Sequence, residues 1–278
     1  MLETERYAEA VELLKFLLQC QGEDPRHYEE WQSLLDWLTE SFPMLQNEYA
    51  GDGEDYDPET EEIMARKHLE AKLAEDQNYA EKLLKAVMEK PLSEQTLLAL
   101  DQLAYLDRPE VDDALIGWIH EKPLHPLLQY RVLQTLRRRG ASGLLSFIRG
   151  GEKVEIEIEA VPLKQEDFPN AVQAVLERVG NQAEIHDPTL FYFAQEMWSQ
   201  FVMAIYGTMD YRSMLTDDDS VIDIWAASLH QTVAETLTGG GKPEEEIRFM
   251  YGITDDLRLR YEQACRSMRQ FVTTGIRG

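Results

Sequence analysis

Apolar side chains recur every three to four positions along most of the chain, the spacing of one face of an α-helix. Tyr7, Val11, Leu14 and Leu18 make the first such face, and Tyr28, Trp31, Leu34, Leu35 and Leu38 the second. Between them Gly22-Glu23-Asp24-Pro25 is a helix stop followed by a helix start, so residues 1–50 are expected to form a helical hairpin. From Pro58 onward, Pro, Asp and Gly punctuation predicts short helices at about 59–74, 77–89, 93–106, 109–120, 124–139 and 142–149. One segment breaks the helical period: Val154-Glu155-Ile156-Glu157-Ile158-Glu159 alternates strictly, as a strand does. No second strand pattern accompanies it, so residues 151–168 are expected to be an extended connector lying over helices with its isoleucines buried. Helical spacing then returns over 169–278. Val172, Val175, Leu176 and Val179 make one face, and Leu190, Phe193, Ala194, Met197, Trp198, Phe201 and Ile205 a fuller one. Ile222, Trp225, Ala226, Leu229 and Val233 follow, and Leu257, Tyr261, Ala264, Cys265, Met268 and Phe271 make the last.

Within 51–150 the pattern repeats. Glu89-Lys90-Pro91-Leu92 returns as Glu121-Lys122-Pro123-Leu124, 32 positions on (89 to 121), and Leu100, Leu103 and Val111 return as Leu133, Leu136 and Leu144, 33 positions on (100 to 133). Two helices per repeat of that length are the signature of an α-solenoid. Leu103 to Val111 with Asp112 to Leu115, and Leu127 to Leu136 with Gly140 and Ala141, resemble the turn and helices of HEAT repeats, with Arg131 near the arginine common in that family's helices. The resemblance covers about residues 93–150 and implies a protein-binding scaffold with no catalytic residue of its own. The expected fold is therefore all-α: a solenoid of HEAT-like hairpins, a C-terminal helical bundle or solenoid extension, and one short extended segment.

Charge narrows the partners. Asp and Glu number 52 against 27 Lys and Arg, a formal net charge of −25 that repels nucleic acid and anionic lipid, so neither is an expected partner. Residues 1–92 and 151–241 are acid-rich and flank a near-neutral centre, which favours a basic protein as partner. With Cys20 and Cys265 as the only cysteines there is no disulfide framework and no sulfur-ligated zinc site. No basic stretch leads into an apolar run at the start, and no long uncharged segment follows, so a cytoplasmic protein is expected.

Chemistry finds little purchase. Thr238-Gly239-Gly240-Gly241-Lys242-Pro243 lacks the first glycine of a P-loop and has proline in place of the magnesium-binding hydroxyl. Asp55, Asp57 and Glu59 alternate as calcium ligands do, but Pro58 interrupts them and Thr60 stands where the turn requires glycine. His186-Asp187, with His120 or His125 upstream and Asp223 downstream, follows the ligand order of HD-type phosphohydrolases, which makes a metal-dependent phosphohydrolase the alternative reading. Asp187-Pro188 is equally a helix N-cap followed by proline at the first helical position. Residues 245–259 have the spacing of a helix-turn-helix, but Asp255 and Asp256 would meet phosphates. Arg137-Arg138-Arg139 is expected to end its helix and pair with carboxylates. No cofactor is expected. The partner-binding residues expected are Tyr206 and Tyr211, exposed past the end of the 189–206 helix beside the acidic turn Asp217, Asp218 and Asp219, a surface for a basic segment.

Overall fold

The computed structural model describes residues 11, 14, 15, 17, 18, 25–41, 78–89, 93–183, 187–216, 218–238 and 244–275. The chain divides into two units, Met1–Glu75 and Asp76–Gly278. In the first, helix α1 (Pro25–Ser41) buries Leu38 against Val11 and Leu14, with Trp31, Leu34 and Leu35 packed alongside. Both apolar faces expected in 1–50 thus contribute to one cluster. Tyr7, the calcium-like acids Asp55, Asp57 and Glu59, and the helix expected at 59–74 lie outside the described residues.

The second unit begins with four helices: α2 (Tyr79–Glu89), α3 (Glu94–Ala104), α4 (Pro109–Glu121) and α5 (Pro126–Arg138). The last three start on local signals. Ser93 Oγ accepts the Thr96 N–H at 3.2 Å, His125 Nδ1 accepts the Leu127 N–H at 3.3 Å, and Pro109 and Pro126 occupy first-turn positions. Helix α5 ends at Gly140, whose φ of 81° lets Ala141 N–H reach back to Leu136 O and Gly140 N–H to Arg137 O. Helix α2 packs on α3 and α4, and α5 packs on α3 and α4.

The chain then forms an antiparallel hairpin, β1 (Leu144–Arg149) and β2 (Glu152–Glu157), in register from Leu144–Glu157 to Arg149–Glu152. This corrects two expectations at once. The helix expected at 142–149 is strand β1, and the segment expected to be a lone extended connector is β2, paired with it. The cause is Gly150-Gly151, with φ of 57° and 89°, which closes a two-residue turn that residues with a Cβ resist. Ile156 and Ile158 are buried, as expected, with 3₁₀ turns at Ile158–Ala160 and Gln165–Asp167 following.

Helices α6 (Asn170–Ala183), α7 (Pro188–Ile205), α8 (Met209–Met214), α9 (Asp219–Thr238), α10 (Glu244–Met250) and α11 (Arg258–Gly275) complete the unit. Helix α9 is central. It packs against α6, α7, α8, α10 and α11, and every residue from Ile224 to Ala234 is buried. Three of its buried polar side chains find partners within the helix or on a neighbour: Ser228 Oγ donates to Ile224 O, Thr232 Oγ1 to Ser228 O, and His230 Nδ1 lies 2.9 Å from the Tyr251 hydroxyl. Among the described residues the chain is helical apart from the one hairpin, and no helix is long and apolar enough to cross a membrane.

Candidate functional site

Three elements meet at the inner face of the hairpin: β1 with Leu145, Phe147 and Arg149 pointing inward, α5, and the turn between α7 and α8. Arg149 is fully buried, and among the described residues no carboxylate pairs with it. Its Nη1 donates to Tyr206 O at 2.7 Å, its Nε to Gln129 Oε1 at 3.2 Å, and its guanidinium carbon lies 5.3 Å from the Phe147 ring centroid. Tyr206 caps the C-terminus of α7, so the charge sits at the negative end of a helix dipole and beside an aromatic ring, which together stand in for a counter-ion. Burial lowers its pKa to about 10, which still leaves it charged near neutrality. Helix α5 supplies the surrounding polar contacts. Gln129 Nε2 donates to Ile148 O at 2.8 Å, Tyr130 Oη to Pro162 O at 2.9 Å, and Gln134 Nε2 to Pro162 O at 3.0 Å.

Tyr206 and Tyr211 belong to this buried node and not to a surface, which corrects the expectation of exposure: they are 9% and 6% exposed. Their rings lie 4.8 Å apart, Tyr206 meets Tyr130 edge-on at 5.4 Å, and the Tyr206 hydroxyl donates to Ala160 O at 3.2 Å. The physical reason is the start of α8. Gly207, at φ 81°, turns the chain, Thr208 Oγ1 accepts the Tyr211 N–H, and a new helix begins at once, so that Tyr211 and Met214, three apart, face inward. Of the acidic residues, Asp217 lies outside the described residues. Asp218 and Asp219 are exposed at the start of α9. Hydrogen bonds from the Ser220 hydroxyl and from the Ser220 N–H to Asp218 hold its carboxyl below the usual range.

The structure does not gather the described members of the alternative metal set. His120 is exposed with Nδ1 2.7 Å from Ile116 O, His125 caps α5, Asp187 Oδ1 accepts the Leu190 N–H, and Asp223 pairs with Arg178. His186 lies outside the described residues. Among those described, no group of three or more His, Cys, Asp or Glu side chains could hold a metal ion. The three consecutive arginines are structural, as expected. Arg138 pairs with Asp101 at 3.1 Å and Arg137 donates to Val161 O. Arg139 pairs with Asp112 at 2.5 Å and donates to Leu103 O, Leu106 O and Arg108 O, clasping the turn between α3 and α4. In the helix-turn-helix stretch, Arg248 pairs with Asp255 at 2.8 Å, and both Asp255 and Asp256 precede α11.

The sequence places more aromatics on and just after α7 than one face can bury, with a packed core as the favoured reading, and the structure shows which pair is exposed. Tyr192 and Phe193 are 59% and 43% exposed, with ring centroids 5.5 Å apart, although helical spacing assigned Phe193 to the core face. The signal was present in the run Phe191-Tyr192-Phe193, since three consecutive positions on a helix cannot all face one side. No family model, curated protein or solved structure matches the chain.

Proposed function

We propose that this chain is a helical scaffold that binds another protein, and that Tyr192 and Phe193 form a contact point for it. The observation that carries the reading is their exposure as a touching aromatic pair on a helix whose opposite face, Leu190, Ala194, Trp198 and Phe201, is buried. Adjacent rings left in water are costly unless a partner covers them, and aromatic residues dominate binding hot spots. The packing of α2 with α3 and α4, and of α5 with α3 and α4, supports two stacked helical hairpins, the arrangement of a HEAT-like solenoid. The excess of acid favours a basic partner.

Affinity capture from the native cell with wild-type protein and with the Tyr192→Ala/Phe193→Ala variant tests this. Truncating a hot-spot ring costs about 2 kcal/mol, so a partner retained by the wild type is expected to bind the double variant at least about 30-fold more weakly, with an unchanged Tm. A partner retained equally by both proteins would remove this contact point, and the absence of any specific partner would remove the scaffold reading.

A further inference from the structure

The hairpin has two edges, and the fold treats them differently. Its two-residue turn closes on the Arg149–Glu152 pair, and at the far end Ile158 N–H donates to Gly143 O at 3.0 Å. Pairs 149/152, 147/154 and 145/156 are therefore the hydrogen-bonded ones, and the backbone groups of the residues between them point out of the hairpin. On β1 the outward carbonyl of Ile148 receives Gln129 Nε2 at 2.8 Å, and α4 packs against the same strand. On β2 the outward N–H and C=O groups belong to Lys153, Glu155 and Glu157. All three residues are exposed, and among the described residues none of these backbone groups has a hydrogen-bond partner.

The side chains along this edge are acidic: Glu152, Glu155, Glu157 and Glu159 stand against Lys153 alone, and Lys153 is already paired with Glu155 at 3.4 Å. Leu144 and Ile148, 64% and 59% exposed, lie on the same face opposite Glu157 and Lys153, leaving an apolar column beside the charged one. We propose that the outer edge of β2 docks an extended, basic segment of a partner protein as a third strand. Its main chain bonds to Lys153, Glu155 and Glu157, and its lysines or arginines stand beside Glu155 and Glu157. Charge selects this occupant over a second copy of the chain, which would bring a net −25 and the same acidic edge. The glutamates that keep two copies apart are the groups a basic strand complements. The inference rests on the protein-binding reading and adds a surface and a partner chemistry to it.

The test uses the whole chain and two fluorescent peptides, each alternating lysine with threonine over six residues. In one the lysine amides are N-methylated, which keeps the charge and removes the N–H groups that would face β2. The unmethylated peptide is expected to bind at least about tenfold more tightly, the equivalent of one or two lost hydrogen bonds. Glu155→Pro, which removes an outward N–H but no bond to β1, should erase that difference, and Glu155→Lys/Glu157→Lys, which leaves the backbone intact, should weaken the unmethylated peptide to a similar degree. Circular dichroism and Tm establish that each variant is folded. Equal binding of the two peptides would reduce the effect to general charge attraction and overturn the proposal. So would a concentration-dependent dimer that Glu155→Pro converts to monomer, since the occupant would then be a second copy. If the edge variants change nothing while Tyr192→Ala/Phe193→Ala still releases a captured partner, the edge fails and the scaffold reading stands.

Discussion

A methyl group at position 207 would collide with the hairpin: the Cβ of an alanine there lies 3.0 Å from Ile156 Cγ1 and 3.1 Å from its Cδ1, on a backbone at φ 81°. Gly252 has a similar φ of 65° but nothing within 4 Å of the same point. The two glycines separate conformational strain from overlap. Gly252→Ala is expected to lose about 1 kcal/mol, the cost of a left-handed conformation, and Gly207→Ala about 2–3 kcal/mol, because overlap in a packed core adds to it. Urea unfolding of both variants measures the difference, and equal losses would mean that Ile156 shifts aside freely. The same turn places Tyr206 O against Arg149, so a displaced Gly207 also loosens the hold on a buried charge. Arg149 was not legible in the sequence as an inward-facing residue. An arginine two positions after a phenylalanine reads as surface until the helix end and ring that stabilise it are known.

At the scale of elements, the hairpin depends on the Gly150–Gly151 turn. Asparagine adopts a positive φ readily, so Gly150→Asn is expected to leave stability within about 0.5 kcal/mol of wild type, while Gly150→Val, with a branched Cβ, loses about 1–2 kcal/mol. Thermal melts of the two variants measure the difference, and a Gly150→Val melt at the wild-type temperature would mean that the turn does not require a positive φ. Most helices here were legible, because caps and periodic faces are local: Ser93, Pro109, Pro126 and Asp187 mark the starts of α3, α4, α5 and α7. Strand β1 was not. Leu144-Leu145-Ser146-Phe147-Ile148 exposes two apolar residues and buries an arginine at its end, so the alternation that identifies a strand is inverted at both ends. The diglycine after it, a two-residue turn between two apolar runs, was the usable signal. The exposure of Tyr206 and Tyr211 was misjudged for a related reason: Gly207 ends α7, but Thr208 starts α8 one residue later, and the chain never leaves the core.

At the scale of the whole molecule, several phenols among the described residues are buried. Burial raises the pKa of Tyr130, Tyr211, Tyr251 and Tyr261 far above the usual phenol value, and in Tyr261 the neighbouring Cys265 adds to it. Their folded-state values exceed the unfolded ones, so the stability they contribute is complete below about pH 10 and is lost as pH rises beyond it, at roughly 1.4 kcal/mol per group per pH unit. Arg149, lowered to about 10, acts in the opposite sense, because the unfolded chain still binds its proton there. One guanidinium does not offset four phenols. The protein is expected to unfold cooperatively between about pH 10 and 12, with tyrosinate absorbance and loss of helical circular dichroism in a single step. A gradual phenol titration with the helices intact would show that these rings reach water without unfolding. Helix α9, enclosed on every side from Ile224 to Ala234, has a further consequence for how the chain is made. One of its walls is α11, which leaves the ribosome after it, and the side of α9 that carries Ser228 and Glu235, bonded to Tyr261 O and Arg269, stays uncovered until that wall is in place. The nascent chain therefore carries a finished but uncovered hydrophobic helix until α11 has emerged. In that interval it is a substrate for chaperones, and a stop codon between α9 and α11 would yield an aggregating product instead of a smaller folded one.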